Sequence, residues 1–226
     1  MYDFTLYGHL VVDSIFDGEY ETMDFGGINN SLRAFQKLDS ELQIGLVPLA
    51  LGQASIFIER LKNNRSSIAY LNEIILKPMI KESMVHHIMY INELRDLNFL
   101  SDLQGYITAD VCLGTKIENP NVLNFLNYIF VSDEDNQDID FLVNNVKNGV
   151  IYHSKSGSKI ITKLENKEFV VQEKDIVKNA NVLGAGDIFA ASVLYYHYKM
   201  KKPIEKAVEL AHKNTSKMIR KNNEKV

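Results

Sequence analysis

The chain has no tryptophan, one cysteine and four prolines in 226 residues. The lone Cys112 excludes a disulfide framework within the chain and points to a reducing compartment. It lies in the apolar run Val111-Cys112-Leu113 and reads as a buried hydrophobe rather than a nucleophile. No apolar run approaches the roughly 20 residues that a membrane span needs. Met1-Tyr2-Asp3-Phe4 lacks the basic start and apolar core of a signal peptide. A cytoplasmic protein without a membrane partner is expected. Positive charge is not in excess either: 25 Lys and Arg against 29 Asp and Glu leave a net charge of −4. That gives no electrostatic reason to expect nucleic acid. The basic cluster from Lys199 to Lys225 reads as a solvated terminal helix. Internal repeats, low-complexity segments and Pro/Gly/Ser-rich linkers are missing as well. One α/β domain, residues 1–226, is the simplest account, and it is long enough to bury a full core.

What is present is an alternation of strand and helix patterns. Phe4 to Val12 reads as a buried strand that ends at Asp13, and Leu42 to Leu49 as a second one, stopped by Pro48 and Gly52. Ser14 to Phe25 is polar, Ser55 to Lys62 reads as a short helix, and Ser67 to Leu76 as a strand. His87 to Ile91 and Tyr106 to Leu113 look like strands flanking a helix from Glu93 to Leu103. Strands at Tyr128 to Val131, Val150 to Tyr152 and Lys159 to Lys163 follow. Helices are expected over Ser31 to Leu38, Ile139 to Val146, Asp187 to Met200 and from Pro203 onward. Strands separated by helices imply a mostly parallel sheet covered on both faces.

Two common phosphate-binding patterns are absent. There is no Gly-x-x-x-x-Gly-Lys-Ser/Thr, and no Gly-x-Gly-x-x-Gly follows the first strand. Instead, Gly184-Ala185-Gly186-Asp187 opens a long apolar helix. Three small residues let backbone N–H groups turn inward together at a helix N-terminus, where unpaired donors and the helix dipole both favour an anion. Asp187 stands beside the place an incoming anion would take, which calls for a task. Beside a phosphate it can take a proton from an attacking hydroxyl, so the motif points to phosphoryl transfer.

Other candidates carry less. His86 and His87 are adjacent in a strand and point to opposite faces, against a shared metal site. Asp110 is assigned to a turn or the surface in preference to a site. Tyr195, Tyr196 and Tyr198 read as packing, and the acidic run Asp133 to Asp138 mainly as a solvated loop.

Asn181-Val182-Leu183-Gly184-Ala185-Gly186-Asp187-Ile188-Phe189 resembles the C-terminal signature of the PfkB family of carbohydrate kinases, which includes ribokinase. The Gly-Ala-Gly-Asp-x-Phe core matches fully. Gly26-Gly27 followed by Asn30 resembles the family's N-terminal signature. Asn30 is favoured over Asn29, because Arg33, Lys37 and Leu38 then fall in register. Tyr152 to Ser158 resembles the segment beside the nucleotide, and Ser132-x-x-Asp135 stands where the family has Asn-x-x-Glu.

The resemblance implies a ribokinase-like three-layer α/β/α fold and ATP-dependent phosphorylation of a hydroxyl on a sugar or sugar-like molecule. By position, Asp187 would be the general base, with Gly184, Ala185 and Gly186 as the anion hole. Asp13, Gly26, Gly27 and Asn30 would bind the acceptor. Ser154, Gly157, Asn181 and Asn214 would lie at the nucleotide, and Asp135 would hold Mg²⁺, through water or directly. Asn181 and Val182 replace the family's Asp and Thr. Losses between Asp13 and Gly26 and between Gly52 and Ser67 imply a reduced β lid. Since family dimers often use that lid, a homodimer is one assembly the resemblance allows. Two alternatives stand beside this reading: a degenerate nucleotide- or sugar-binding protein with a regulatory role, and a nucleoside kinase.

Overall fold

Two strands of 16 residues, β1 (Tyr2–Asp17) and β3 (Ile44–Glu59), organise the computed structural model. It describes residues 1–17, 20–59, 65–112, 114–171, 176–177 and 182–223. The other strands are β2 (Tyr20–Phe25), β4 (Arg65–Ile75), β5 (Ser83–Ile88), β6 (Tyr106–Asp110), β7 (Tyr128–Ser132), β8 (Gly149–His153), β9 (Gly157–Ile161) and β10 (Asn166–Val170). They form one sheet in the order β10-β9-β8-β7-β6-β5-β1-β3-β4, with β2 paired to β1. Every neighbour from β8 to β3 is parallel. β2, β4, β9 and β10 add antiparallel pairings.

The helices are α1 (Ile28–Leu38), α2 (Pro120–Leu123), α3 (Ile139–Asn145), α4 (Ala185–Leu194) and α5 (Ile204–Asn223). A strand buried on both faces is apolar at consecutive positions. β7 shows this: Phe130 joins one core cluster, while Ile129 and Val131 join the other. The first cluster, with Phe4, Leu6, Phe35, Phe189 and Ala207, packs against α1, α4 and α5. The second, with Tyr7, Ile88, Phe99, Leu123 and Leu142, packs against α2, α3 and two 3₁₀ turns, Ile91–Glu93 and Asn98–Asp102. The expected three layers around a mostly parallel sheet are therefore present.

Three local expectations are corrected. β3 does not stop at Pro48 and Gly52, and Ser55–Glu59 is strand rather than helix. Gly8 faces Pro48 and His9 faces Ala50, so Leu49 is left over in the register with β1. Such a bulge is where a strand interior tolerates proline. The helix expected from Glu93 to Leu103 is replaced by the two 3₁₀ turns. There, the Asn92 side chain bonds both the N–H and the carbonyl of Cys112, and Asp96 accepts the N–H of Asn98. These side chains give the backbone partners that compete with a helix.

The third correction concerns the lid. β1 runs beyond its last pair with β5, Tyr7 with Ile88, and β2 takes that edge from Val12–Phe25 to Asp17–Tyr20. β4 covers the far edge of β3 from Ala50–Ile75 to Glu59–Arg65. The stretches from which little lid structure was expected thus form a four-stranded ribbon, β2-β1-β3-β4, in their described parts.

Candidate active site

Side chains at or just beyond the carboxyl ends of β5, β6 and β8, and Asp13 of β1, converge on the first turn of α4. That is where open parallel sheets place their ligands. Gly184 is the N-cap of α4, with φ +75° and no side-chain cap. A left-handed residue here lets the incoming chain turn directly into the helix. Ile188 donates the first helical bond, to the Gly184 carbonyl at 3.0 Å, whereas the Ala185 N–H is engaged by Val182 at 2.9 Å. The amides of Gly186 and Asp187 remain as first-turn donors without a helical acceptor. Ala185 therefore shapes the expected anion hole without supplying a donor to it.

Asp187 is buried, with 5% of its surface exposed. The Tyr90 hydroxyl donates to its Oδ1 at 2.9 Å and lies 3.1 Å from Oδ2. The nearby Asn30 side chain also favours its ionised form. Burial, then the charge of Asp110, push the carboxyl up; the bonds from Tyr90 and Asn30 pull it back, Asp13 pushes again, and it stands at about 7. A base poised near neutrality suits proton abstraction from a hydroxyl.

Asp13 is raised to about 6, mainly by burial and then by Asp24. Asp24 is itself held low by a bidentate bond from Arg33, which ties β2 to α1. Gly26 and Gly27 let the chain pass from β2 into α1 flush against β1. A Cβ on Gly26 would come within 1.8 Å of Asp13 Oδ2, and one on Gly27 within 2.0 Å of the His9 carbonyl oxygen. This close apposition carries Asn30 to Asp187, while Asn29 turns back to the Phe25 carbonyl at 3.0 Å. Asp13, Gly26, Gly27 and Asn30 are thus gathered beside Asp187.

The residues expected at a nucleotide are gathered less completely. Ser154 and Gly157 form the β8–β9 turn, with Ser154 N–H on the Gly157 carbonyl at 2.8 Å. Gly157 also sits where a Cβ would meet the Phe169 carbonyl oxygen at 2.3 Å. Asn181 lies outside the described residues. Asn214 donates to Ser192 Oγ at 2.8 Å and so joins α5 to α4. Asn214→Ala is accordingly expected to cost about 1 kcal/mol of stability, read by urea unfolding, with the donor KM unchanged. A nucleotide contact would instead raise that KM. Asp135 accepts the Ser132 N–H at 2.7 Å and is raised to about 6, chiefly by burial, with Asp110 and Glu134 adding to the rise. Among the described residues no group of three or more His, Cys, Asp or Glu could hold a metal ion on its own. His86 and His87 do diverge: His86 bonds Tyr7 and the Gln104 carbonyl, and His87 bonds Thr108.

Three residues at the site escaped the sequence or were discounted there. Asp110 is not a surface residue. It is 6% exposed, its Oδ1 accepts the Tyr90 N–H, and its Oδ2 lies 3.4 Å from His87 Nε2. Tyr90 takes the left-handed conformation, φ 56° and ψ 48°, two residues beyond the end of β5. His153 flanks the turn, its Cε1 3.6 Å from where a Gly186 Cβ would sit. Burial and then His212 push it down to about 4, so it is neutral at physiological pH. Only Asp110, a carboxylate ending a strand, left a readable signal.

No protein-family model and no curated protein sequence matches the chain. Solved structures do. A sulfate complex of a pyrophosphate-dependent kinase in the ribokinase family aligns with a TM-score of 0.68 at 16% identity, over 96% of this chain and 95% of that one. Ribokinase from Thermotoga maritima aligns at 0.67 and 16%, over 94% and 91%. Arabidopsis thaliana ribokinase complexed with ribose and ATP aligns at 0.65 and 13%, over 97% and 93%. The chain has the ribokinase-like fold. Identities this low carry the fold and nothing finer, so residue roles in this ribokinase-like chain rest on the geometry above.

Proposed function

We propose that the chain, acting as one domain over residues 1–226 in the cytoplasm, is an ATP-dependent phosphotransferase. Its acceptor would be a hydroxyl of a sugar or sugar-like small molecule. The carrying observation is a buried carboxylate, Asp187, poised near neutrality at an uncapped helix N-terminus, with Asp13 and Asn30 gathered beside it. Asp187 takes the acceptor's proton as its oxygen bonds to the terminal phosphorus and the bond to the leaving diphosphate breaks. The Gly186 and Asp187 amides face the charge on the transferring group. Asp13, Gly27 and Asn30 orient the acceptor, and positioning with charge stabilisation is what this reaction chiefly needs. Mg²⁺ fits the residues present: Asp135 is a half-buried carboxylate raised further by Asp110 and Glu134, a setting that a hard divalent cation relieves. Asp135 would hold it, directly or through water, and the ion would neutralise phosphate oxygens.

One observation favours a second reading of the donor. Asn214 and Ser154, both given to the nucleotide by the resemblance, are committed to internal bonds. The fold is shared with a pyrophosphate-dependent kinase, so inorganic pyrophosphate belongs in the test. Phosphorylated product is measured over a panel of sugars, polyols and nucleosides with ATP–Mg²⁺ and with pyrophosphate–Mg²⁺. Acceptor-dependent transfer supports the proposal, and transfer to nucleosides alone moves the acceptor class. Ligand-induced stabilisation with no transfer to any acceptor would leave a binding protein.

A further inference from the structure

Tyr90 is bound to the proposed base, yet it takes no part in the transfer step described above. Its phenol oxygen lies 2.9 and 3.1 Å from the two oxygens of Asp187. An attacking hydroxyl must put its own oxygen within hydrogen-bond reach of that carboxylate, so the phenol stands where an acceptor has to stand. The backbone beneath it is fixed. Met89 N–H donates to the Tyr7 carbonyl at 2.8 Å, Glu93 N–H to the Tyr90 carbonyl at 2.9 Å, and Tyr90 N–H to Asp110. Asp110 is backed in turn by His87, whose Nδ1 is 3.0 Å from Thr108 Oγ1. A left-handed non-glycine residue costs roughly 1–2 kcal/mol, and here buried partners hold it in place. Parting the phenol from Asp187 is therefore a movement of the side chain over a fixed backbone.

Resting on the phosphotransferase reading, we propose that Tyr90 guards the base against water. With no acceptor bound, the phenol covers Asp187 with its one O–H donor and suppresses futile cleavage of the phosphoryl donor. In that side reaction a water oxygen bonds to the terminal phosphorus, the bond to the leaving diphosphate breaks, and the water proton passes to Asp187. A polyhydroxyl acceptor displaces the phenol, because its contacts with Asp13, Asn30 and Gly27 offset the lost bond. Water has no such contacts. Tyr90 thus separates acceptor from solvent through Asp187, as a positioning residue.

The test compares wild type, Tyr90→Phe, Asp187→Asn and the double variant, each with a thermal melt to confirm folding. Nucleoside diphosphate and inorganic phosphate release are measured with ATP–Mg²⁺ and pyrophosphate–Mg²⁺, first without acceptor and then with D-ribose, myo-inositol and adenosine. Tyr90→Phe is expected to raise acceptor-free cleavage about tenfold or more, the factor that one hydrogen bond to a charged group represents. The double variant loses that rise. A merely structural role would leave acceptor-free cleavage unchanged or lower it. That result, with wild type still transferring phosphate to an acceptor, overturns the guard and leaves the phosphotransferase reading standing. Failure of every protein to cleave either donor, with or without acceptor, overturns both.

Discussion

Asp187→Asn is expected to lower phosphoryl transfer by about a hundredfold or more while making the protein more stable above neutral pH. The carboxyl stands at about 7 in the folded chain against an ordinary value of 3.8. The folded state therefore holds its proton over a range in which the unfolded state has released it. Below pH 3.8 both states are protonated and the carboxyl's contribution to stability is fully present. It is lost as pH rises toward 7, and the loss is complete above that. That rise is a free-energy penalty on the ionised form in the folded chain. The bonds from Tyr90 and Asn30 are already included in it. An asparagine keeps an acceptor for Tyr90 through its own Oδ1 but offers Asn30 less, so a gain of about 2 kcal/mol at pH 8 is the reasonable expectation. Removing the charge also eases Asp13, which adds in the same direction. Urea unfolding of both proteins at pH 4, 6 and 8 checks the sign: the gap should open with pH and nearly close at 4. Coincident curves at pH 8 would mean that the ionised carboxylate is not strained where it sits. With Asp187 as the proposed base, wild-type turnover should fall as pH drops below about 7, where that carboxyl is protonated.

That coupling of strain to task also explains what could be read from the chain. The Gly184 to Asp187 turn was legible because small residues ahead of an apolar helix have few physical uses, and a carboxylate among them has fewer. Asp13 stood out as a carboxylate at an expected strand end, whereas the Gly26-Gly27 pair stood out only through the family resemblance. β3 was not, because Pro48 and Gly52 are local stop signals and only pairing with β1 shows that one of them sits at a bulge. β2 and the end of β1 were hidden for a related reason: the polar stretch from Ser14 to Phe25 looks like loop until a neighbour supplies a ladder. Tyr90 lay further out of reach. It meets Asp187 across 97 positions of chain, and its left-handed backbone depends on Asp110, itself 20 positions away. No local pattern encodes a bond made by the tertiary fold. Asn214 bonds Ser192 across 22 positions, another contact that no local pattern announces.

Gly27→Ala should be far more damaging than Gly184→Ala, although both glycines have positive φ. Gly184 sits at φ 75° and ψ 8°, and the nearest atom to a new Cβ is 3.6 Å away. Only the left-handed penalty applies there, roughly 1–2 kcal/mol. Gly27 sits at φ 61° and ψ −133°, a combination other residues rarely adopt. A Cβ there would meet the His9 carbonyl oxygen at 2.0 Å and its carbon at 2.8 Å. Those are backbone atoms of β1, and that strand is held in register by β3 on one side. No rotamer change relieves such a contact; either β1 or the start of α1 must move. Conformational strain and overlap together are expected to cost about 3–5 kcal/mol. Urea midpoints at equal m-values measure the difference. The functional consequence follows from the same displacement. Asn30 bonds back to Gly27 at 3.0 Å and reaches Asp187 only because α1 starts flush against β1. Whatever Gly27→Ala protein remains folded should bind acceptor more weakly, whereas Gly184→Ala should act mainly on phosphate transfer. If the two variants lost equal stability and shared one kinetic defect, the tight apposition of β1 and α1 would not be what places the acceptor side of the site.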